Sequence, residues 1–401
     1  MKILVCNVGS TSLKYRLFDM DAQGKTMAEG AMERVGAAMG SYRFSCPGKP
    51  EQAGEAAIPD YGTGISMMLD VLVPAVLPSL NEISCVAFKV VHGGPLTGVQ
   101  ALNEETLARM ARYNTVAPSH NPPYIAAIRM FAALLPGVPL IGSFETGFHR
   151  NMPPKAYLYS LPKELYTRYG VRRYGFHGAS HEYVSGRVRE LTGGGARRVV
   201  TCHLGGSGSL CAVLDGVSVD TNLGFSLQCG VMHNNRCGDI DPYILIYLMK
   251  EQGYTLDRIE RMLNKESGLL GMSGVSNDLR DVMQAAEQGN TDAKNAVDSY
   301  CYAVKKQIGA YAAALDGLDA IAFAGGIGER SAFVRRESLS GLDWMGVRLD
   351  EEKNLAAKPD CEISDGTGKV RIFVIQTNEE WVVAKKAAAY LSGATDVPEG
   401  L

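Results

Sequence analysis

The stretch LVCNVGSTSLKYRLFD (residues 4–19) and the stretch VTCHLGGSGSLCAVLD (residues 200–215) follow one plan. In each, an apolar strand ends on a polar residue, a Gly/Ser turn follows, and a second strand runs out to Asp. Two copies about 196 positions apart suggest a duplicated strand-turn-strand unit in two α/β domains; chance recurrence of a Gly/Ser hairpin is the plain alternative. Around them, β-branched runs alternate with helix-length amphipathic segments, as α/β domains require. Strands are predicted over 3–6, 86–91, 140–142, 199–202, 210–214, 320–324 and 370–375. Helices are predicted over 104–113, 181–191, 242–251, 292–315 and 379–391. The domain change is placed near residue 148, after LIGSFETGFH.

The 401 residues suffice for two or three domains with cores of their own. Forty Lys and Arg against 43 Asp and Glu leave a net charge of −3, which offers no field for a polyanion, so nucleic acid is excluded as a partner. No apolar run approaches the ~20 residues of a membrane span. Nine cysteines without a C-x-x-C pair suit neither a disulfide framework nor a zinc site, and read as reduced thiols in a cytoplasm. The opening MKILVCNVG reads as a buried first strand rather than a leader.

Both Gly/Ser turns suit an anion, because small residues let backbone N–H groups converge and hydroxyls add donors. Asn7, Ser10, Ser12 and Lys14 are the polar members of the first, although Lys14 could equally be a solvated strand residue. Neither turn is a Walker loop, and their glycines open hairpins rather than the helix of a Rossmann fingerprint. A third cluster, Gly325-Gly326-Ile327-Gly328, follows a predicted strand and precedes a helical stretch, where a nucleoside could approach the backbone; a tight packing turn is the plain alternative. Three such turns make a nucleotide the simplest shared ligand. None of the seven histidines has metal-ligand spacing. Arg236 is either a guanidinium aimed at a phosphate or a surface partner of Asp239 and Asp241. Glu145, and Glu379 with Glu380, could bring carboxylates to a sheet mouth for Mg²⁺, while Glu379 and Glu380 also suit a helix N-terminus.

Taken in order, NVGSTSLK, KVVHGG, APSHNPP, FETGFH, YGFHGASH, HLGGSGS, SGLLGMSGVSNDLRD, GGIGE and TNEE resemble the motifs of the acetate kinase family, which includes propionate kinases. The resemblance implies two duplicated actin-like (ribonuclease H-like) domains with an interdomain cleft. The first domain would be 1–148 plus a returning C-terminal helix 381–401, and the second 149–380. It further implies a homodimer and reversible transfer of the ATP γ-phosphoryl group to a short carboxylate, with Mg²⁺ or Mn²⁺, giving ADP and an acyl phosphate. By the same resemblance Asn7, His177 and Arg236 surround the phosphoryl group, with Lys89 and Glu145 as further catalytic positions. Ser10, Ser12 and Lys14 line the first phosphate turn; His203, Gly205, Gly206, Ser207, Gly208 and Ser209 line the second. Asp278, Arg280 and Gly325 to Gly328 lie on the nucleotide side, Glu379 and Asn7 on the metal side. Val91, Ser119, His120, Phe176 and Leu227 form the acid pocket.

The departures from the family pattern fall mainly on the acid side. Lys89 stands where the family has Arg and loses its bidentate fork; Glu145 replaces Asp, Ser119 an apolar residue, and Leu227 a proline. Ser207 replaces a glycine, and His233-Asn234-Asn235 replaces Met-Gly-Thr. The expectation is a carboxylate kinase for an acid larger or more polar than acetate, with His233 to Asn235 supplying polar groups beside Arg236. The alternative is a non-catalytic nucleotide-binding sensor derived from the family.

Overall fold

Four consecutive apolar residues, Ile3 to Cys6, are fully buried, which a strand achieves only when both faces of its sheet are covered. In the computed structural model, which describes residues 1–394, they form the middle of β1. The chain divides into two compact units, Met1–Arg150 with the stretch beginning at Asn378, and Asn151–Thr377. Of the terminal helix expected over 381–401, residues 395–401 lie outside the described part. The helix itself is Glu379–Leu391.

In the first unit, β1 (Lys2–Val8), β2 (Ser12–Asp19), β3 (Lys25–Glu33), β4 (Gly40–Ser45) and β5 (Gln52–Ala56) form an antiparallel meander. On the other side of β1 the sheet turns parallel through β6 (Ile83–Val90); β7 (Val99–Ala101) is the antiparallel edge beyond β8 (Leu140–Phe144), giving the order β5-β4-β3-β2-β1-β6-β8-β7. The helix Glu379–Leu391 lays Val383, Ala384 and Ala387 on Ile3, Val5, Cys85, Ala87 and Ile141. On a helix those three recur at one-turn spacing, so a single stripe meets the sheet. Helix Asn121–Leu134 packs through Phe131, whose ring meets Phe88 edge-on at 5.3 Å.

The second unit repeats the plan. β9 (Arg198–Leu204), β10 (Gly208–Leu214) and β11 (Val217–Thr221) are antiparallel neighbours; β12 (Ala320–Ala324) and β14 (Arg371–Val374) continue in parallel from β9, and β13 (Cys361–Glu362) closes the edge. The series β3-β2-β1-β6-β8 and β11-β10-β9-β12-β14 therefore match strand for strand, and the two hairpins read from the sequence occupy equivalent places. One sheet face is covered by the 24-residue helix Thr291–Ala314, which buries Ala293, Ala296, Val297, Tyr300, Val304, Ile308 and Tyr311. Burying a residue such as Ile308 is worth about 1.5–3 kcal/mol over leaving it exposed. Asn290 caps this helix by accepting from the Ala293 N–H at 3.0 Å.

The structure adds what sequence patterning did not reveal: β3 to β5, whose outer strand is half-exposed and not apolar, and helices Tyr61–Ala75 and Asn121–Leu134. The third glycine cluster, expected to precede a helical stretch, is itself the start of a short helix, Gly325–Arg330, and the helix Ala332–Leu339 follows directly. Gly325 has φ +75°, and a Cβ there would lie 2.7 Å from the Leu204 carbonyl oxygen, so only glycine permits this approach to the end of β9.

Candidate active site

In the first unit the polar residues gather at the ends of β1, β6 and β8. Asn7 closes β1, and its Oδ1 accepts from the Tyr124 hydroxyl at 2.9 Å, which leaves the Nδ2 donors for a ligand oxygen. The turn after it is held by Gly9 N–H to Ser12 O at 2.8 Å and by Tyr61, which donates to the Gly9 carbonyl. Ser10 and Lys14 are exposed and Ser12 is half-buried, so the turn offers hydroxyls and an ammonium to solvent.

Lys89, on β6, forms an ion pair with Glu379 at 2.5 Å, with the two side chains only 16% and 12% exposed. Burial works against the Lys89 charge, but Glu379 and then Glu145 outweigh it and hold the ammonium above its usual value. Glu145 is buried, its own N–H donating to Val90 O at 2.7 Å. Sequence reading gave Lys89 to the transferring group and Glu379 to the metal; the structure brings these two together. Glu379 and Glu380 also occupy the first turn of their helix, where the dipole favours carboxylates. Among the described residues no group of three or more His, Cys, Asp or Glu could hold a metal ion. This donor set fits a Mg²⁺ that brings most of its ligands as phosphate oxygens and water.

Nearby segments of this unit are tied to one another. His92 Nδ1 accepts from Gly94 N–H at 3.0 Å and its ring stacks on Tyr113 at 4.8 Å, while Asn121 Nδ2 donates to His92 O at 2.9 Å. KVVHGG and APSHNPP are thereby held to each other. Val91 is buried, His120 half-buried and Ser119 exposed.

In the second unit, His177 sits in the left-handed region (φ 56°) at the N-cap of helix Gly178–Leu191. Its Nδ1 shares a hydrogen bond with Ser209 Oγ at 2.7 Å, and Ser209 in turn meets His181 Nε2 at 2.8 Å. His181 Nδ1 reaches Thr201 Oγ1 at 2.7 Å. The His203 ring stacks on His177 at 4.4 Å, with its Nδ1 on Ser180 Oγ at 2.7 Å. This network fixes the His177 ring plane and engages its Nδ1. Sequence reading missed the parts played by Ser180, His181, Thr201 and, in the first unit, Tyr124; His181 is one helical turn beyond His177, a spacing that offered the only local sign.

Arg236 is half-buried and its guanidinium has no hydrogen-bond or carboxylate partner among the described residues. Burial pushes it down to about 10. The surface ion pair is absent; Asp239 Oδ1 accepts from Gly230 N–H at 2.8 Å, and Asp241 Oδ1 from Tyr243 N–H at 2.9 Å. A desolvated cation without an anion is costly, and a bound phosphoryl or carboxylate group would remove that cost.

Asn234, two positions before Arg236, lines a cavity of about 600 Å³ together with Gly205, Gly206, Asp278, Arg280, Gly326 and Ile327, among others. Asp278 caps helix Leu279–Glu287 through Arg280 N–H at 2.9 Å and also pairs with the Arg280 side chain at 2.5 Å; Arg280 holds its carboxyl down at about 2. Gly326 has nothing within 4 Å of its Cβ position, leaving its backbone open to a ligand. The cavity is large enough for a nucleoside with its phosphates. Phe176 and Leu227 are buried.

His233 and Asn234 engage the glycine turn and the cavity of the second unit. The buried His233 ring accepts from Gly208 N–H at 3.0 Å, and Asn234 lines the nucleotide cavity.

A duplicated actin-like α/β fold, with glycine turns around a nucleotide-sized cavity and an uncompensated arginine, defines an ATP-dependent phosphotransferase. Residues 2–385 match the family model described as the acetokinase family, and the chain belongs to that family, whose enzymes phosphorylate a carboxyl group. It is 44% identical over 391 residues to the acetate kinase of Clostridium botulinum, covering 96% of this chain and 98% of that one. With the acetate kinase of Phocaeicola vulgatus it is 42% identical over 398 residues, 98% of this chain and all of that one. Among solved structures, it resembles Porphyromonas gingivalis acetate kinase (TM-score 0.88, 35% identity, 97% and 99% coverage) and a propionate kinase from Francisella tularensis (TM-score 0.89, 33% identity, 96% and 98% coverage).

Proposed function

We propose that this protein transfers the γ-phosphoryl group of ATP, as its Mg²⁺ complex, reversibly to a short-chain carboxylic acid. The unpaired, half-buried guanidinium of Arg236, on the same segment as the cavity-lining Asn234, is the observation that carries this reading. A carboxylate oxygen forms a bond to the γ-phosphorus as the bond to the bridging oxygen of ADP breaks. The nucleophile is already ionised, so no general base is needed. Arg236 and His177 then act as donors to the equatorial oxygens, where charge develops. Asn7 Nδ2 is assigned the same duty, and Glu379 the metal. Mg²⁺ would neutralise phosphate charge, and Lys89 keeps Glu379 oriented.

The acid is larger or more polar than acetate on this reading. Its support is Ser119, exposed beside His120 where the family has an apolar side chain, and the polar run His233 to Asn235 just before Arg236 in the chain. An ATP-dependent hydroxamate assay across acetate, propionate, butyrate and their hydroxy analogues tests both statements. The highest kcat/KM on acetate overturns the specificity, and silence across the panel with MgADP still bound points to a nucleotide sensor.

A homodimer is proposed as well. Helix Tyr243–Glu251 buries none of its residues and exposes Tyr243, Ile244, Ile246, Tyr247 and Met249; a patch of this kind is covered in soluble proteins, and its lack of charge before Lys250 suits a second copy of itself. The cysteines are all free thiols, as a reducing cytoplasm would keep them. No described helix is long and apolar enough to cross a membrane.

A further inference from the structure

We infer that His233 is a positioning residue that locks the phosphate-binding glycine turn to the segment carrying Arg236. The two segments are joined at two points. The imidazole Nδ1 takes the Gly208 N–H at 3.0 Å, with Ser207 Oγ 3.4 Å away, and the Asn234 N–H donates to Gly206 O at 3.1 Å. His233 also closes the arginine segment on itself, its backbone N–H donating to Arg236 O at 3.1 Å. Below, the carbonyls of His233 and Asn234 accept from Leu269 and Leu270 N–H, each at 2.9 Å. Gly268 (φ +65°) allows this fit, since a Cβ there would lie 2.7 Å from Arg236 O.

The imidazole is the side chain that spans this junction, with Ser207 Oγ against the same nitrogen; the other links named are main chain. It must be neutral with its proton on Nε2, because Nδ1 is an acceptor. Arg236 is its charged neighbour and further disfavours protonation of the ring, opposed only by the Cys229 backbone. A methionine of similar bulk would fill the space without accepting the Gly208 N–H. The glycine turn would then be free to shift relative to Arg236, and small misplacements of this kind are expensive in phosphoryl transfer.

The kinetic half of this inference rests on the kinase reading, and the binding half only on the nucleotide site. The test compares His233→Met, which keeps volume, with His233→Asn, whose Oδ1 stands near the place of Nδ1. Isothermal titration with MgADP gives affinity, and the hydroxamate assay gives kcat and both KM values. His233→Met is expected to fold with a cooperative melt, weaken MgADP about tenfold and lower kcat about tenfold, with the acid KM unchanged; His233→Asn recovers most of the MgADP affinity. A methionine variant with wild-type affinity and kcat overturns the inference, as does equal impairment of both variants or a rise confined to the acid KM. Wild-type protein that binds MgADP but makes no acyl phosphate overturns the kinase reading alone, and the MgADP titrations still decide the part played by His233. Wild-type protein that binds no nucleotide overturns both.

Discussion

Arg236 and His233 stand three positions apart in one turn, and burial acts on them in opposite functional senses. Arg236 stays charged even when pushed down to about 10, so at neutral pH it presents a full cation with nothing to neutralise it but a ligand. Replacing it by alanine should lower kcat by ~10²–10³ while leaving MgADP affinity nearly unchanged, measured by steady-state kinetics alongside titration. Full activity would make it a bystander. His233, by contrast, is held neutral: burial, and then Arg236, lower it to about 3 from an ordinary 6.5. Between those values the unfolded chain binds a proton that the folded chain refuses, so its contribution is intact above pH 6.5 and lost as pH falls toward 3. Wild type should therefore lose up to ~1.4 kcal/mol of stability per pH unit below 6.5 that His233→Met does not lose. Urea unfolding of both proteins at pH 7 and pH 5 measures the difference. An unchanged difference between them at the two pH values would show that the imidazole is not so strongly desolvated.

At the scale of the element, the glycine helix Gly325–Arg330 is the tightest constraint on the nucleotide cavity. It leaves β12 in a left-handed turn and passes directly over the end of β9, where Gly325 meets Leu204. Gly325→Ala combines a positive φ with a main-chain collision, and each such strain costs of order 1–3 kcal/mol. The expected result is a lowered melting temperature together with weakened MgADP binding, because the helix must move to admit the methyl group. Gly326→Ala is the contrasting variant: its Cβ position is open, so it should fold normally and affect nucleotide binding alone. Equal melting temperatures for the two variants would mean that the turn has slack that the structure does not show. The buried Arg335 braces this helix from behind, donating to Gly328 O and Glu329 O at 2.8 and 2.9 Å.

For the whole molecule, the exposed helix Tyr243–Glu251 begins seven positions after Arg236, and Asp239 between them is tied to Gly230 in both directions. An interface on that helix would therefore sit close in sequence to the arginine. Ile246→Asp is expected to move the mass measured by light scattering from two chains to one. A wild-type protein already monomeric at micromolar concentration would exclude the dimer. Each unit carries its own sheet and its own core, and among the described residues the chain passes between units at 150–151 and 377–378.

The amino-acid sequence by itself determined the duplicated hairpins, the long helix over 291–314 and the closing helix from 379, because strand alternation, Gly/Ser turns and one-turn apolar spacing are local properties. The motif set also placed the chain among carboxylate kinases. What only tertiary structure decided was which polar groups meet. Lys89 and Glu379 are 290 positions apart, and nothing in either segment announces the other. Asp239 and Asp241 looked like partners for Arg236, yet in the fold one oxygen of each accepts from the backbone N–H of Gly230 or Tyr243. His233 read as an acid-side residue because it adjoins Arg236 in the chain, and the fold turns its ring to Gly208. A charged or polar side chain pairs with whatever competing donor or acceptor the packed backbone brings within about 3 Å, and that competition is settled by the folded chain, not by neighbours in sequence.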